Sequence, residues 1–342
     1  MRRRTISIED IAQVAGVSHS TVSRALRDSP LISADVRTHI RQLALDMGYT
    51  PNEIAQSLQM QRTNTIGLVV TSIADPFLAD IVKGVEEVAR TAHLGVFLSA
   101  SHHDPEQEMA VIESFHRRRV DGIVIESSRI SSQYAERLAR INVPTVLINS
   151  QSESPAHVMH TVAVDDYCGA RMAVEHLLGL GHRTIGYLGV GNRPRSNTRR
   201  FEGYRDALLA AGAPFRERAV VVPTVSDATQ IDDFAVGQTA LRRLMHAGIT
   251  AVFCYNDMLA IGALMACRAQ GIAVPGALSV VGFDDVQLAQ FVAPTLTTVH
   301  QPKVELGELA MQKLLALLAE RPVEDAVLQP SLVVRASTAP PA

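Results

Sequence analysis

Four side chains within one short stretch, His19, Ser20, Ser23 and Arg24, are of the types that read nucleic-acid bases. Hydroxyls and an imidazole hydrogen-bond to base edges, and a guanidinium makes paired bonds to guanine O6 and N7 in a major groove. Such contacts need a rigid element narrow enough to enter that groove, and the flanking sequence predicts one. Ser18 is a natural N-cap for a helix from His19 to Leu26, in which Val22 and Leu26 face inward at i, i+4 and leave the four polar side chains outside. Before it, Ser7 and Asp10 make an approximate capping box for a helix whose Ile8, Ile11, Ala12 and Ala15 recur at helical spacing. Gly16 supplies the permissive backbone of the turn between the two, and Val17 plugs their small core. Ile6 to Leu26 therefore reads as a helix-turn-helix aimed at DNA, with Arg24 suited to a guanine and Ser7, Ser18 and Thr21 suited to the phosphate backbone. An ordinary helical hairpin with a polar face is the plainer alternative.

A third helix follows, capped by Ser33, with Val36, Ile40, Leu43, Ala44 and Met47 as its inward stripe and Gly48 at its end. Thr50 and Pro51 then open a short helix over Asn52–Gln59. That helix is too short to stand alone in water. A DNA minor groove together with a second subunit would hold it, with Asn52 at the backbone and Leu58 wedged between base steps. A linker whose leucine covers neighbouring surface is the alternative.

The chain has 342 residues, 47% of them hydrophobic, which is too long for one typical domain and enough for sizeable cores. Its formal charge is −3; residues 1–62 hold eight Lys/Arg and six Asp/Glu, net +2, which leaves −5 on the remainder. Such a balance is unusual for a protein that coats DNA indiscriminately and suits one whose basic charge is local, so specific binding is expected to lean on dimerisation. The amino terminus carries arginines and no apolar run, so no signal peptide is expected, and no stretch reaches transmembrane length. Cys168, Cys254 and Cys267 lie in apolar segments without paired spacing, as in a reduced cytoplasmic protein.

Beyond residue 63, short apolar runs alternate with longer amphipathic segments. Ile66–Val70, Val96–Ala100, Gly122–Ile125 and Thr145–Asn149 read as buried parallel strands, with helices near 78–93, 106–118 and 131–141. A second set opens near Val162 and continues with Ile185–Gly189, Val220–Val222, Ala251–Tyr255 and Val280–Asp284, with helices near 166–180, 199–212, 235–247 and 257–271. This alternation predicts two doubly wound α/β lobes. Ligands of such sheets sit outside the carboxyl ends of the strands. That rule nominates Ser72–Phe77, Ser99–His103, Ser127–Arg129, Asn149–Gln151, Gly191–Arg200, Asn256-Asp257 and Asp284-Asp285.

Enzyme readings find little support. Gly189-Val190-Gly191 starts like a dinucleotide fingerprint, but Pro194 holds the third glycine position. No GxxxxGK[ST] loop occurs. His102-His103-Asp104 lacks a third metal ligand at recognisable spacing. Arg117-Arg118-Arg119 suits a solvated helix end, and Cys254 a core position without a nearby base. No catalytic residue, cofactor or metal is expected.

From end to end the chain resembles the LacI/GalR family of bacterial transcription repressors. The matching segments include IEDIAQVAGVSHSTVSRAL at 8–26, GYTPNEIAQSL at 48–58, TNTIGLVV at 63–70, DPF at 75–77 and RRVDGIVIE at 118–126. They continue with HLLGLGHRTIGYLG at 176–189, FEGYRDAL at 201–208, NDMLAIGAL at 256–264 and SVVGFDD at 279–285. The pair AGVSxxTVSR and GYxPN is highly specific; NDM or VDG alone is weak. The resemblance implies an all-α helix-turn-helix headpiece over residues 1–49, a hinge helix and linker over 50–62, and an effector-binding and dimerisation domain over 63–342. That domain would be built like periplasmic sugar-binding proteins, from two doubly wound parallel-sheet lobes. The first lobe would take about 63–163 and 294–321 and the second about 164–293 and 322–338, with crossings near Val164, Ala293 and Arg321, the helix at about 303–319 in the first lobe and Val327–Val334 in the second.

The implied protein is a cytoplasmic homodimer, nucleoid-associated when bound, on a near-palindromic double-stranded operator. Ser7, Ser18, His19, Ser20, Thr21, Ser23 and Arg24 of the headpiece and Asn52, Ala55 and Leu58 of the hinge would contact the DNA. After Val334 only a short tail without heptads remains, so no tetramerisation helix is expected. A small effector, a sugar or sugar derivative, would lie between the lobes against Asp75, Phe77, Ser196, Arg200, Asn256, Asp284 and Gln301. Phe77 equally suits a core, and Arg200 beside Arg199 a solvated helix start. The chain has no tryptophan, on which sugar sites often stack a ring, so a purine or other co-repressor stays open beside the sugar. A pure small-molecule binding protein without a DNA role is the other alternative, and the first 60 residues argue against it.

Overall fold

The computed structural model describes residues 6–50, 62–129, 137, 140–141, 143–150, 159–223 and 232–342. The chain divides into two compact units, Met1–Thr63 and Asn64–Ala342. The expected hinge helix, with Asn52, Ala55 and Leu58, lies outside the described residues, as does most of the helix expected near 131–141.

In the first unit, α1 (Ile8–Ala15), α2 (His19–Leu26) and α3 (Ala34–Asp46) enclose Ile11, Val22, Ala25, Ile40 and Ala44. Ser7, Ser18 and Ser33 cap the three helices. The capping box closes from both sides: the Asp10 amide donates to Ser7 Oγ at 3.2 Å and the Ser7 amide to the Asp10 carboxylate at 2.9 Å. Gly16 sits at φ 65°, the left-handed conformation the turn demands. Val36 differs from expectation: it is exposed, and the buried stripe of α3 starts one turn later at Ile40.

The second unit holds two sheets. In the first, the spatial order is β11 (Ala326–Leu328), β5 (His160–Val164), β4 (Thr145–Ile148), β3 (Gly122–Glu126), β1 (Thr65–Val70) and β2 (Gly95–Ala100). In the second it is β12 (Ser331–Val333), β10 (Thr297–His300), β9 (Ser279–Asp284), β8 (Ala251–Cys254), β6 (Ile185–Leu188) and β7 (Val220–Val221). All pairings are parallel except β10 with β12. Successive residues of a strand serve opposite faces, so both faces need covering. Ile66, Leu68 and Val70 of β1 pack with α4 (Pro76–Thr91) and α10 (Lys303–Leu318), while Val69 packs with α5 (Pro105–Arg117). The second sheet lies between α6 (Asp166–Gly179) with α7 (Pro194–Ala210) and α8 (Asp233–His246) with α9 (Asp257–Ala269).

Three expectations change here. β5, read as opening the second set of strands, pairs with β4 in the first sheet. β10 pairs with β9 in the second sheet, so the chain re-enters the first lobe after His300 rather than near Ala293. β11 pairs with β5, so residues through Leu328 belong to the first lobe, and the last crossing falls at Gln329-Pro330 instead of near Arg321. The cause is the same in each case. A three- to five-residue apolar run carries no information about which sheet edge accepts it, and only Pro330, which cannot donate to a ladder, marks the break between β11 and β12.

Glycine pairs set the helix crossings that position the ligand-facing helix ends. A Cβ on Gly237 of α8 would lie 2.1 Å from the Leu259 carbonyl oxygen, and one on Gly262 of α9 would lie 2.1 Å from that of Phe234. Gly84 and Gly307 repeat the arrangement between α4 and α10, at 2.1 Å from Val304 O and 2.2 Å from Ile81 O. Gly237→Ala should therefore cost about 1–3 kcal/mol of stability through overpacking against backbone. Gly179→Ala, with nothing within 4 Å of the added methyl, should be neutral or stabilising by up to about 1 kcal/mol. Urea midpoints of the two variants against the parent check the pair.

Candidate functional site

The carboxyl ends of both sheets converge on one cavity. β1 delivers Thr71 and, after a short loop, Asp75, which caps α4 by accepting from the Phe77 amide at 3.0 Å. β3 ends on Glu126-Ser127 and β4 on Asn149. From the second lobe come Asp166 at the start of α6, Arg193, Ser196 and Arg200 at and within the start of α7, and Tyr255-Asn256 after β8. Asp284 closes β9, and Gln301 follows β10. Ser127, Asn149 and Asp284 have φ of 50°, 47° and 119°. Non-glycine residues in that region are strained, and strain of this kind collects where strand ends aim side chains at a ligand.

Arg200 organises the second-lobe wall. Its guanidinium is buried, stacks over the Phe283 ring with Cζ 3.6 Å from the centroid, and lies 4.3 Å from the centroid of Tyr255. Nε donates to Asp166 Oδ1 at 2.7 Å, Nη1 donates to the Tyr255 carbonyl, and Asp284 Oδ1 stands 3.7 Å away. Gln301 Nε2 holds the same Asp284 oxygen at 2.7 Å, and Lys303 Nζ donates to the Asp284 carbonyl at 2.6 Å. Burial raises the carboxyls of Asp166 and Asp284 above their ordinary range, while Arg200 pulls both back toward ionisation.

A second guanidinium crosses the cleft. Arg193 donates to Asp233 at 2.8 Å within its own lobe and to Asp75 of the first lobe at 3.2 Å. Asn256 shares the bonded Asp233 oxygen through Nδ2 at 2.7 Å while its Oδ1 caps α9. Ser196 Oγ pairs with the Tyr255 hydroxyl at 2.7 Å. On the first-lobe wall, Thr71 Oγ1 donates to Glu126 at 3.3 Å, and Ser127 Oγ also donates to it. Burial pushes the Glu126 carboxyl up to about 7, the nearby Asp75 charge adds to this, and Arg193 opposes it.

All seven expected ligand residues, Asp75, Phe77, Ser196, Arg200, Asn256, Asp284 and Gln301, line this one cavity. Thr71, Glu126, Asp166 and Tyr255 also line it and were not singled out; Ser127, Asn149 and Arg193 fell within the nominated stretches. Glu126 and Tyr255 carried a signal, since each is the polar end of an apolar strand. Asp166 carried none, because only the fold brings it against Arg200. Asp285, nominated beside Asp284, turns away to pair with Arg335 at 2.6 Å and His300 at 3.0 Å.

On the first unit, His19, Ser20 and Arg24 are exposed on α2, as a groove-reading face requires. The Ser18 hydroxyl lies 2.8 Å from those of both Ser20 and Thr21, and Ser7 is committed to its capping box. Ser23 is half-buried, and its hydroxyl accepts from Arg27 at 2.7 Å, so it presents less to a base than its neighbours. Among the described residues, no cluster of three or more His, Cys, Asp or Glu is placed to hold a metal.

Comparison with known proteins bears on both regions. Residues 7–52 match the model of bacterial regulatory proteins of the lacI family, and residues 174–338 match a periplasmic binding protein-like domain. The chain is 36% identical to the HTH-type transcriptional regulator GalR of Escherichia coli, over 98% of this chain and 96% of that protein. It superposes on the lac repressor dimer bound to operator and the anti-inducer ONPF with a TM-score of 0.86 at 27% identity, covering 98% of this chain and all of that one. A LacI family regulator from Enterococcus faecium with bound ribose matches with a TM-score of 0.70 at 28% identity, covering 81% of this chain and 99% of that one.

Because protonated Glu126 is the form the fold tolerates, its contribution is complete below the ordinary carboxylate range and is lost as pH rises through about 7. Ligand-free protein should lose stability between about pH 5 and pH 7, by up to about 1.4 kcal/mol per unit for one proton, and the loss should level off above pH 7. Glu126→Gln should flatten that slope; chemical denaturation of both proteins across the range reads it, and equal slopes would count against the assignment.

Proposed function

From the premise that the chain belongs to the LacI family of bacterial regulatory proteins, we propose how its two regions divide the work of a transcriptional regulator. The protein is a DNA-binding regulator and not an enzyme, as its relatives are. His19, Ser20 and Arg24 read bases of a near-palindromic operator, while Ser7, Ser18 and Thr21 sit against phosphates. Asn52, Ala55 and Leu58 complete the contact in the minor groove. A homodimer supplies the two-fold symmetry that such an operator mirrors. DNA as the partner places the protein in the bacterial cytoplasm, on the nucleoid when bound.

The observation that carries the effector reading is the cleft itself: strand ends of two lobes meet on a cavity rich in acceptors. Among the residues lining it, Gln301 has its Oε1 buried without a partner. Unsatisfied buried acceptors are costly, and ligand hydroxyls would satisfy them. Both arginines are already paired with carboxylates. An uncharged polyol therefore fits better than a sugar acid or phosphate, which would find both guanidiniums already committed to Asp75, Asp233 and Asp166. The Tyr255 and Phe283 rings lie under Arg200, so among the described residues lining the cavity no pair of open aromatic faces is offered to a purine. We assign Asp75, Asn256, Asp284 and Gln301 to ligand hydroxyls, Phe77 to an apolar ring face, and Ser196 and Arg200 to holding the wall. Ligand and operator affinities are then coupled, each changing the other by the same factor.

Arg24→Ala should weaken operator binding about ten- to a hundredfold and relax preference at one base pair per half-site. Fluorescence anisotropy on genomic palindromes checks this, and unchanged affinity and preference would remove Arg24 from base reading. Asp284→Asn should reduce the change in operator affinity that a responding sugar produces, with the sugar's own affinity down about tenfold or more. A response of normal size would take Asp284 out of the site.

A further inference from the structure

Two guanidiniums and four carboxyl groups line the cavity between the lobes, and their ion pairs leave one carboxyl over. Arg200 takes Asp166 at 2.7 Å and Asp284 at 3.7 Å. Arg193 takes Asp75 at 3.2 Å and, behind the lining, Asp233 at 2.8 Å. Glu126 is only 3% exposed and enters no ion pair among the described residues. We propose that Glu126 recognises a basic nitrogen, so that the effector is an amino sugar whose ammonium group lies against this carboxylate. The proposal rests on the sugar reading given above and adds one positive charge to the polyol.

The surroundings of Glu126 suit a carboxylate that receives its counter-charge from outside. It ends β3, between β1 and β4, and each of its oxygens meets a hydroxyl. Thr71 Oγ1 donates to Oε2 at 3.3 Å, and Ser127 Oγ donates to Oε1. A hydroxyl donates or accepts, so this pair accommodates the protonated and the ionised carboxyl alike. Burial pushes the group up to about 7, the Asp75 charge at the start of α4 adds to this, and Arg193 at the start of α7 opposes it. An ammonium that donates to Glu126 supplies the missing cation and removes the penalty of an unpaired buried charge. The rest of the wall is also short of donors. Arg193, Arg200, Asn256 and the Gln301 amide nitrogen already donate to carboxylates, while Gln301 Oε1 is buried without a donor. An ammonium brings three donors and no acceptor, where a hydroxyl brings one donor.

The charge count limits the ligand to one such group. Arg193 repels an incoming cation weakly, because Asp75 and Asp233 already match its charge. A second ammonium would find no other unpaired carboxylate among the described residues lining the cavity. An acetylated nitrogen has no charge and gains nothing from Glu126. A free amino acid brings a carboxylate as well, for which neither guanidinium is uncommitted.

The test is calorimetric titration of the full chain at about pH 7.5 with D-glucose, D-galactose and D-mannose, each against its 2-amino and 2-acetamido derivatives. In at least one set the amino sugar should bind about tenfold or more tighter than both the parent sugar and the acetamide, which keeps the nitrogen and loses the charge. Glu126→Gln, which keeps the size and removes the charge, should bring that ratio close to one, with far-ultraviolet circular dichroism to check the fold. In the unaltered chain the ratio should shrink as pH falls from about 7 toward about 5.5, where Glu126 holds its proton. A parent sugar or acetamide that binds as tightly as its amine overturns the ammonium site and leaves the sugar reading standing. So does a preference that survives Glu126→Gln or stays constant over that pH range. Binding of none of these compounds overturns both.

Discussion

A buried guanidinium must be matched on every side, and the match around Arg200 is what the ligand-facing wall of the second lobe depends on. Asp166 comes from the start of α6, the Tyr255 carbonyl from the end of β8, Phe283 and Asp284 from the end of β9. These groups are distant in sequence, and a single cation fixes their spacing. Removing one partner of such a cluster leaves an uncompensated buried charge, which costs far more than any exposed pair. The same logic makes Arg200 a poor direct ligand contact. It stabilises the surface that holds Asp284 in place, and leaves Asp284 and Gln301 as the side chains proposed to meet the ligand.

The lobes are tied at two depths. Near the hinge, Lys303 of α10 is buried, donates to the carbonyls of Asp284 and Asp285, and stands 3.8 Å from Asp80 of α4. At the mouth, Arg193 reaches Asp75. The Lys303 end of the inner tie is buried, whereas the outer tie joins groups at the proposed ligand cavity. A ligand shifts a conformational equilibrium only by its differential affinity for the two states. If the proposed ligand hydroxyls reach Asp75, competition with Arg193 for that carboxylate is one source of that difference.

The legibility of the sequence follows the range of the forces. Serines before apolar stripes specify their caps through contacts three residues away, and Ser7, Ser18 and Ser33 each cap the helix expected of them. Strand ends were legible for a similar reason, because an apolar run that stops at a polar residue marks the sheet edge where ligands sit. That is why Asp75, Asn256, Asp284 and Gln301 share one cavity. β10 and β11 were misassigned because sheet membership is decided by hydrogen bonds to strands far off in the chain. Ser23 read as a base contact, and Arg27 one turn later takes its hydroxyl.

By itself, the sequence determined the element types, the helix-turn-helix face, the alternating α/β pattern and the residues standing at strand ends, since each is written in spacings of two to four residues. Only the tertiary structure decided which polar groups there remain unpaired. Arg193 and Arg200 are alike as sequence, two arginines near one helix start. One is locked under Asp166 and Phe283, and the other spans the cleft to Asp75. The difference lies in the charges that the folded chain sets around each, which interact through space and at a strength that burial determines.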